Sequence, residues 1–303
     1  MYHDEDGARI GDPEVLARIR GLVIPPAWKD VWICADERGH LQAVGTDSAG
    51  RRQYLYHDAW RAHRDRVKYR RVQELAGLLP AARETFREHL DQHGLTETRV
   101  LATAAQLLDL GFFRVGNSEY TEEHGTYGLT TMRRDQVRVR GDKVIFDYVA
   151  KYSRHTVQSV TEPRVRAAVL ALLRRRGGGD ALLAYRAGPG WHEVTSEDVN
   201  AYLKDVIGED FTAKDFRTWH GTVLYAAILA GAPPVGSRTA RQRVIRQAVK
   251  EVAEYLGNTP AVCRASYLDP RVTDCYLDGR VLDGPPEDRE EVEAAVLELL
   301  AES

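Results

Sequence analysis

The chain has 303 residues, 43% of them hydrophobic and 29% charged, with a formal net charge of -3 at pH 7. At roughly 150 residues per domain this is length for about two domains, and the composition excludes a disordered or fibrous chain. No run approaches ~18 consecutive apolar residues, which excludes a membrane-spanning helix. The three cysteines, Cys34, Cys263 and Cys275, form no C-x-x-C pair and argue against a disulfide framework or a cysteine zinc site. The polar start, Met1 to Gly11, lacks the apolar core of a secretory signal, so the expected location is the cytoplasm.

Taken in chain order, residues 31 to 56 read as a β-meander. Val31 to Cys34, His40 to Thr46 and Arg52 to Tyr56 are separated by turns carrying Gly39 and Gly50. From Asp58 the pattern turns helical, with Trp60, Val67, Val72 and Leu75 on one face and arginines including Arg61, Arg64, Arg70 and Arg71 on the other. The small N-terminal α+β domain is therefore expected to end near residue 72. Residues 80 to 93 and 97 to 110 read as helices.

Two strands, Gln136 to Arg140 and Lys143 to Tyr148, flank Gly141-Asp142, a strong hairpin signal, and a third, His155 to Val160, is expected to pair with them. Helix dominates beyond that: Pro163 to Arg176, Ser196 to Ile207, Thr212 to about Ala230, Thr239 to Leu256, and Thr259-Pro260 to about Leu268. Gly257 takes the position where a left-handed cap ends a helix. The stretch from Val281 to Ser303 sets eight acids against Arg289 alone, leaving the rest of the chain net positive. Within it Val292, Val296, Leu297 and Leu300 predict a final amphipathic helix. What steers an anionic polymer is a local basic surface, so the acidic total does not exclude nucleic acid. The expected fold is α+β: residues 1–72 a small antiparallel-sheet domain, residues 73–303 a larger, mainly helical one with a small three-stranded sheet.

Cofactor signals are missing. Gly177-Gly178-Gly179 leads into Asp180 rather than Lys-Ser/Thr, and Ala187-Gly188-Pro189-Gly190 has the wrong spacing and a proline where a dinucleotide loop needs an amide. The ten histidines fall in no H-E-x-x-H, so no metal is expected. What stands out is a set of cations and phenols at element boundaries: Arg114 past an apolar helix, Lys151 in a turn between two strands, Arg217 in the first turns of a helix, and Tyr267. Singly, each has an ordinary structural reading. Jointly they suit one reaction: a phenol attacks phosphorus, arginines hold the phosphoryl oxygens, and a lysine protonates the departing oxygen.

Residues 24–33 (IPPAWKDVWI), 50–57 (GRRQYLYH), the block around Arg114, Lys151, residues 214–218 (KDFRT) and Asn258-Thr259-Pro260 ahead of Tyr267 follow in order over nearly the whole chain. With these motifs the sequence resembles the type IB DNA topoisomerases, in the short poxvirus-like bacterial form. The resemblance implies a fold shared with tyrosine recombinases, and a monomer that clamps duplex DNA in the nucleoid and relaxes supercoils with neither ATP nor Mg2+. It implies that Tyr267 forms a 3′-phosphotyrosyl link, that Arg114 and Arg217 hold the nonbridging oxygens, and that Lys151 is the general acid. Asn258 stands where the poxvirus enzymes have histidine; it can donate one hydrogen bond but carries no charge. Gln53, Tyr54, Tyr56, Arg64, Tyr120 and Lys214 would touch DNA. Two rivals stay open: a tyrosine site-specific recombinase, against which the N-terminal meander argues, and a noncatalytic DNA-binding protein on the same scaffold.

Overall fold

The computed structural model describes residues 1–111, 113–117, 121, 123, 125–282 and 288–301. The chain divides into two units, Met1–Tyr69 and Arg70–Ser303.

In the first unit, helix α1 (Pro13–Gly21) starts where the Asp12 carboxylate accepts from the Glu14 and Val15 amides, with Pro13 preset for the first turn. This short helix escaped the sequence reading. The meander is β1 (Lys29–Ile33), β2 (Leu41–Thr46) and β3 (Arg52–Tyr56), antiparallel and in sequence order. Ala43 and Val44 of the central strand are buried. Gly45 is required there, because a Cβ would come within 2.7 Å of the Trp28 ring. Tyr54 and Tyr56 share one face of β3 with their rings stacked at 6.3 Å, yet stay 50% and 38% exposed.

Helix α2 (Asp58–Leu90) corrects the sequence reading, which took the stretch from Asp58 and the stretch from Pro80 as two helices. The chain runs on through Pro80. An interior proline costs about 3 kcal/mol. Against that, Leu75, Leu79, Phe86 and Leu90 are almost fully buried in the second unit, each worth about 1.5–3 kcal/mol, so packing outweighs the break signal.

The second unit is built around α3 (Glu97–Asp109), buried along its length from Val100 onward and capped by Thr96. Strands β4 (Val137–Arg140), β5 (Lys143–Ala150) and β6 (Arg154–Val160) form the expected antiparallel sheet in the order β4-β5-β6, with Gly141 at φ 60° in the tight turn. Helix α4 (Pro163–Arg174) follows, then a small hairpin of β7 (Ala184–Ala187) and β8 (Gly190–Glu193), which the sequence reading does not foresee. Helices α5 (Ser196–Ile207), α6 (Ala213–Ala230), α7 (Arg238–Leu256) and α8 (Pro260–Tyr267) lie where the capping signals placed them. Helix α9 (Pro270–Leu277), started by Asp269, was not foreseen.

Helix α10 (Arg289–Ala301) carries the acidic segment, and it packs rather than trails. Val296, Leu299 and Leu300 are buried, and so is Glu293. The charge is neutralised locally. Arg83 binds Asp109 at 2.9 Å and Glu293 at 2.8 Å, while Arg289 binds Asp109 at 2.8 Å and Glu293 at 3.0 Å. Burial raises the Asp109 carboxyl, but Arg289 and Arg83 outweigh it and hold the group below the usual carboxylate range.

Candidate active site

The chain leaves α3 through Gly111, whose φ of 83° only glycine takes without strain, and reaches Phe113 and Arg114. Phe113 is buried; Arg114 is half-buried and turns its guanidinium toward the end of α7. There Gly257, at φ 63° and ψ 43°, reverses the backbone, and the Asn258 amide bonds back to Ala253 at 2.8 Å. Thr259 then caps α8, with Pro260 in its first turn. This local chemistry, legible from Gly-Asn-Thr-Pro, presents the carbonyls of residues 256 and 257 and the Asn258 side chain to the arginines. Arg114 donates to the Gly257 carbonyl at 2.9 Å and to Asn258 Oδ1 at 2.7 Å.

Arg217 lies on α6 and is only 5% exposed, too deep for a surface ion pair. It donates to the Leu256 carbonyl at 2.7 Å, and its guanidinium carbon lies 5.4 Å from the centre of the Tyr267 ring. Tyr267 is the last residue of α8 and half-buried. Its backbone is pressed against α6: a Cβ on Gly221 would come within 2.8 Å of the Tyr267 carbonyl oxygen, and Thr222 Oγ1 donates to that oxygen at 3.4 Å. Gly221 is a positioning feature that the sequence reading missed, since a glycine inside a helix gives no sign of what approaches it.

Lys151 opens a single 3₁₀ turn, Lys151–Ser153, between β5 and β6. It lines a cavity of about 320 Å³ together with Arg114, Tyr148 and Arg217, and it also borders a second cavity of about 470 Å³ on the side of Arg114, Gly116 and Thr121. Arg154, just past the turn, donates to the Glu254 carbonyl at 3.0 Å and ties the hairpin to the end of α7. The structure thus brings Arg114, Lys151, Arg217, Asn258 and Tyr267 into one region of the second unit, from five separate segments.

The electrostatics of this region are one-sided. Arg83 and Arg217 are equally buried, at 4% and 5% exposure, but Arg83 is held by two buried carboxylates. Neither Arg114 nor Arg217 has a carboxylate partner among the described residues. Burial, and then repulsion from Arg114, pull the Arg217 guanidinium well below its ordinary value, to about 10. Among the described residues Arg217 Nε and Asn258 Nδ2 are buried donors without an acceptor. Two crowded cations and two idle donors are what an anion would satisfy.

The other expected contacts are distributed differently. Gln53, Tyr54, Tyr56 and Arg64 belong to the first unit; Gln53 donates to Asp47 Oδ2 at 2.8 Å, and Arg64 is exposed on α2. Lys214 is exposed in the first turn of α6. Tyr120 lies outside the described residues. Among the described residues no group of His, Cys, Asp or Glu side chains is placed to hold a metal ion, and no helix is long and apolar enough to cross a membrane.

Comparison with known proteins identifies the family. Residues 57–273 match the family model described as eukaryotic DNA topoisomerase I, catalytic core. Residues 1–47 match that of the bacterial DNA topoisomerase IB N-terminal domain. The chain is 26% identical over 262 residues to DNA topoisomerase 1B of Acanthamoeba polyphaga mimivirus, covering 84% of this chain and 77% of that protein. It is 21% identical to DNA topoisomerase I of Monkeypox virus, covering 79% and 74%. It is 27% identical to DNA topoisomerase 1 alpha of Arabidopsis thaliana over 62% of this chain, a match that takes in 20% of the plant protein. The chain belongs to the type IB DNA topoisomerase family.

Proposed function

We propose that the chain relaxes supercoiled duplex DNA through a 3′-phosphotyrosyl intermediate formed on Tyr267. The Tyr267 phenol gives up its proton to solvent as its oxygen bonds to phosphorus and the bond from phosphorus to the 5′-oxygen breaks, and Lys151 delivers the proton that the departing oxygen takes up. Arg114 and Arg217 hold the two nonbridging oxygens, and Asn258 Nδ2 adds a neutral donor. Reversal by the free 5′-hydroxyl reseals the strand. One ester replaces another, so the bond energy is retained and the cycle needs neither ATP nor Mg2+. Rotation about the intact strand between the two steps removes supercoils.

The observation that carries this reading is Arg217: a buried guanidinium without a carboxylate, 5.4 Å from the ring of Tyr267 and repelled by Arg114. At similar depth Arg83 is neutralised by two carboxylates, and Arg175, which also lacks one among the described residues, donates to four backbone carbonyls; Arg217 differs from both in facing a tyrosine ring and a second cation. On this reading the enzyme works as a monomer in the cytoplasm, on the nucleoid. Residues 1–72 clamp the duplex through Gln53, Tyr54, Tyr56 and Arg64, and residues 73–303 supply the chemistry with Tyr120 and Lys214 against the backbone. The catalytic part would share its fold with the tyrosine recombinases.

Relaxation of supercoiled plasmid in EDTA without ATP, run beside Tyr267→Phe, tests the proposal. Relaxation by the wild type alone is expected. Covalent adducts without relaxation would point to strand exchange instead, and an active Tyr267→Phe variant would move the nucleophile elsewhere.

A further inference from the structure

A phenol that nothing in the scheme above uses borders the cavity shared by Arg114, Lys151 and Arg217. Tyr148 lies on β5, where alternation turns Val144, Phe146 and Tyr148 inward, and it is 5% exposed. Its ring stacks on Phe113 at 6.4 Å and 22°, and Phe113 in turn meets Phe146 edge-on at 4.8 Å. The ring is therefore locked by the residue that precedes Arg114 in the chain. Its side chain borders the 320 Å³ cavity together with Arg114, Lys151 and Arg217. No hydrogen bond to its hydroxyl is formed among the described residues, although buried phenols ordinarily find a partner. The hydroxyl lies within the fields of both Arg217 and Arg114.

We propose that the Tyr148 hydroxyl is a further catalytic donor, which hydrogen-bonds one nonbridging oxygen of the scissile phosphate alongside the two arginines. This rests on the reading of the site given under Proposed function. In the cleavage step the new bond still runs from Tyr267 to phosphorus, and the 5′-oxygen still leaves with a proton from Lys151. Tyr148 neither gains nor loses a proton. Its environment suits that role: burial pushes the phenol up to about 12 despite the two nearby cations, so at neutral pH it remains a donor and does not compete as a nucleophile. The oxygen it would meet gains charge as the transition state forms, so the bond strengthens there and acts on rate more than on binding.

The test is single-turnover cleavage of a duplex by Tyr148→Phe, which keeps the packed ring, on three substrates: the natural phosphate and the two methylphosphonate diastereomers at the scissile position. Loss of one charge-assisted hydrogen bond should slow cleavage of the natural phosphate about 10-fold with duplex affinity unchanged. The defect should vanish on the one diastereomer whose methyl group replaces the contacted oxygen, and persist on the other. A variant that cleaves all three at the wild-type rate, or loses the same factor on all three, overturns the assignment; the second result would mark a packing role. If the wild type forms no Tyr267-dependent adduct, the reading of the whole site falls and this proposal with it. If that adduct forms and only the diastereomer pattern fails, Tyr148 alone is removed.

Discussion

Replacing a residue that is 5% exposed ordinarily destabilises a protein, but for Arg217 the structure predicts the opposite. Burial and then Arg114 lower this guanidinium by more than two units, to about 10. At ~1.36 kcal/mol per unit, keeping it charged in the folded chain costs about 3 kcal/mol relative to water. Because the folded-state value is the depressed one, the cost is fully present at neutral pH and fades only above about pH 10. Arg217→Met keeps a long unbranched side chain and removes the charge. Lost with it are the bonds to the Leu256 carbonyl at 2.7 Å and the Phe113 carbonyl at 3.5 Å, at about 1 kcal/mol each. The balance is a gain of about 1 kcal/mol, or a melting temperature about 2–4 °C higher for a domain of this size. Relaxation activity should be lost at the same time. The assay is urea and thermal unfolding of both proteins at pH 7.5, with and without sulfate. Sulfate should stabilise the wild type by more than the variant, which keeps only the general salting-out effect. A variant less stable than wild type by ~2 kcal/mol or more, the usual cost of disrupting a buried site, would refute the claim that the anion-free site stores repulsion.

Asn258→Asp is close to isosteric and would place a carboxylate 2.7 Å from Arg114. Cleavage should fall by about 100-fold through loss of phosphate stabilisation while melting temperature holds or rises, and an unimpaired cleavage rate would dissociate Asn258 from the phosphate. Lys151→Ala should slow cleavage at an ordinary 5′-oxygen by ~100-fold or more and a 5′-thiolate leaving group far less; equal slowing of both removes Lys151 from proton delivery. His220 is buried beside the Asp109 and Glu293 carboxylates and the Arg83 and Arg289 cations, and burial and then Arg289 lower it from 6.5 to about 4. The unfolded chain takes up the proton first, so stability should fall as pH drops from 6.5 toward 4, by about 2 kcal/mol at pH 5. Urea titrations at pH 7 and pH 5 should show that loss in wild type but not in His220→Gln, whereas parallel behaviour would exonerate the histidine.

Much of the scaffold was legible because its signals are local. The Gly-Asp turn set the β4–β5 hairpin, Thr212 and Asp215 began α6, and Gly257, Thr259 and Pro260 marked the junction between α7 and α8. The candidate residues were legible by resemblance and by residue type at those junctions. Elsewhere local signals failed. Pro80 reads as a break, but the helix runs through it because the residues on either side are buried in the second unit. Leu268 to Leu277 offered only a short span around Asp269-Pro270, too brief for its periodicity to declare α9. Gly221 and Tyr148 carry no sequence mark, because what matters is the backbone of Tyr267 against one and the guanidinium groups near the other.

By itself the sequence determined the elements, their caps and an inventory of arginines that is ambiguous residue by residue. Arg83 and Arg217 are the same side chain on helices of similar pattern, and nothing within a few residues of either reveals its partner. Tertiary structure decided that Arg83 meets Asp109 and Glu293, brought from α3 and α10. It also decided that Arg217 meets, among the described residues, carbonyls, a tyrosine ring and another cation but no carboxylate. Desolvation and Coulomb energy depend on distance in space and not along the chain, so the same residue type is neutralised in one place and left waiting for an anion in the other.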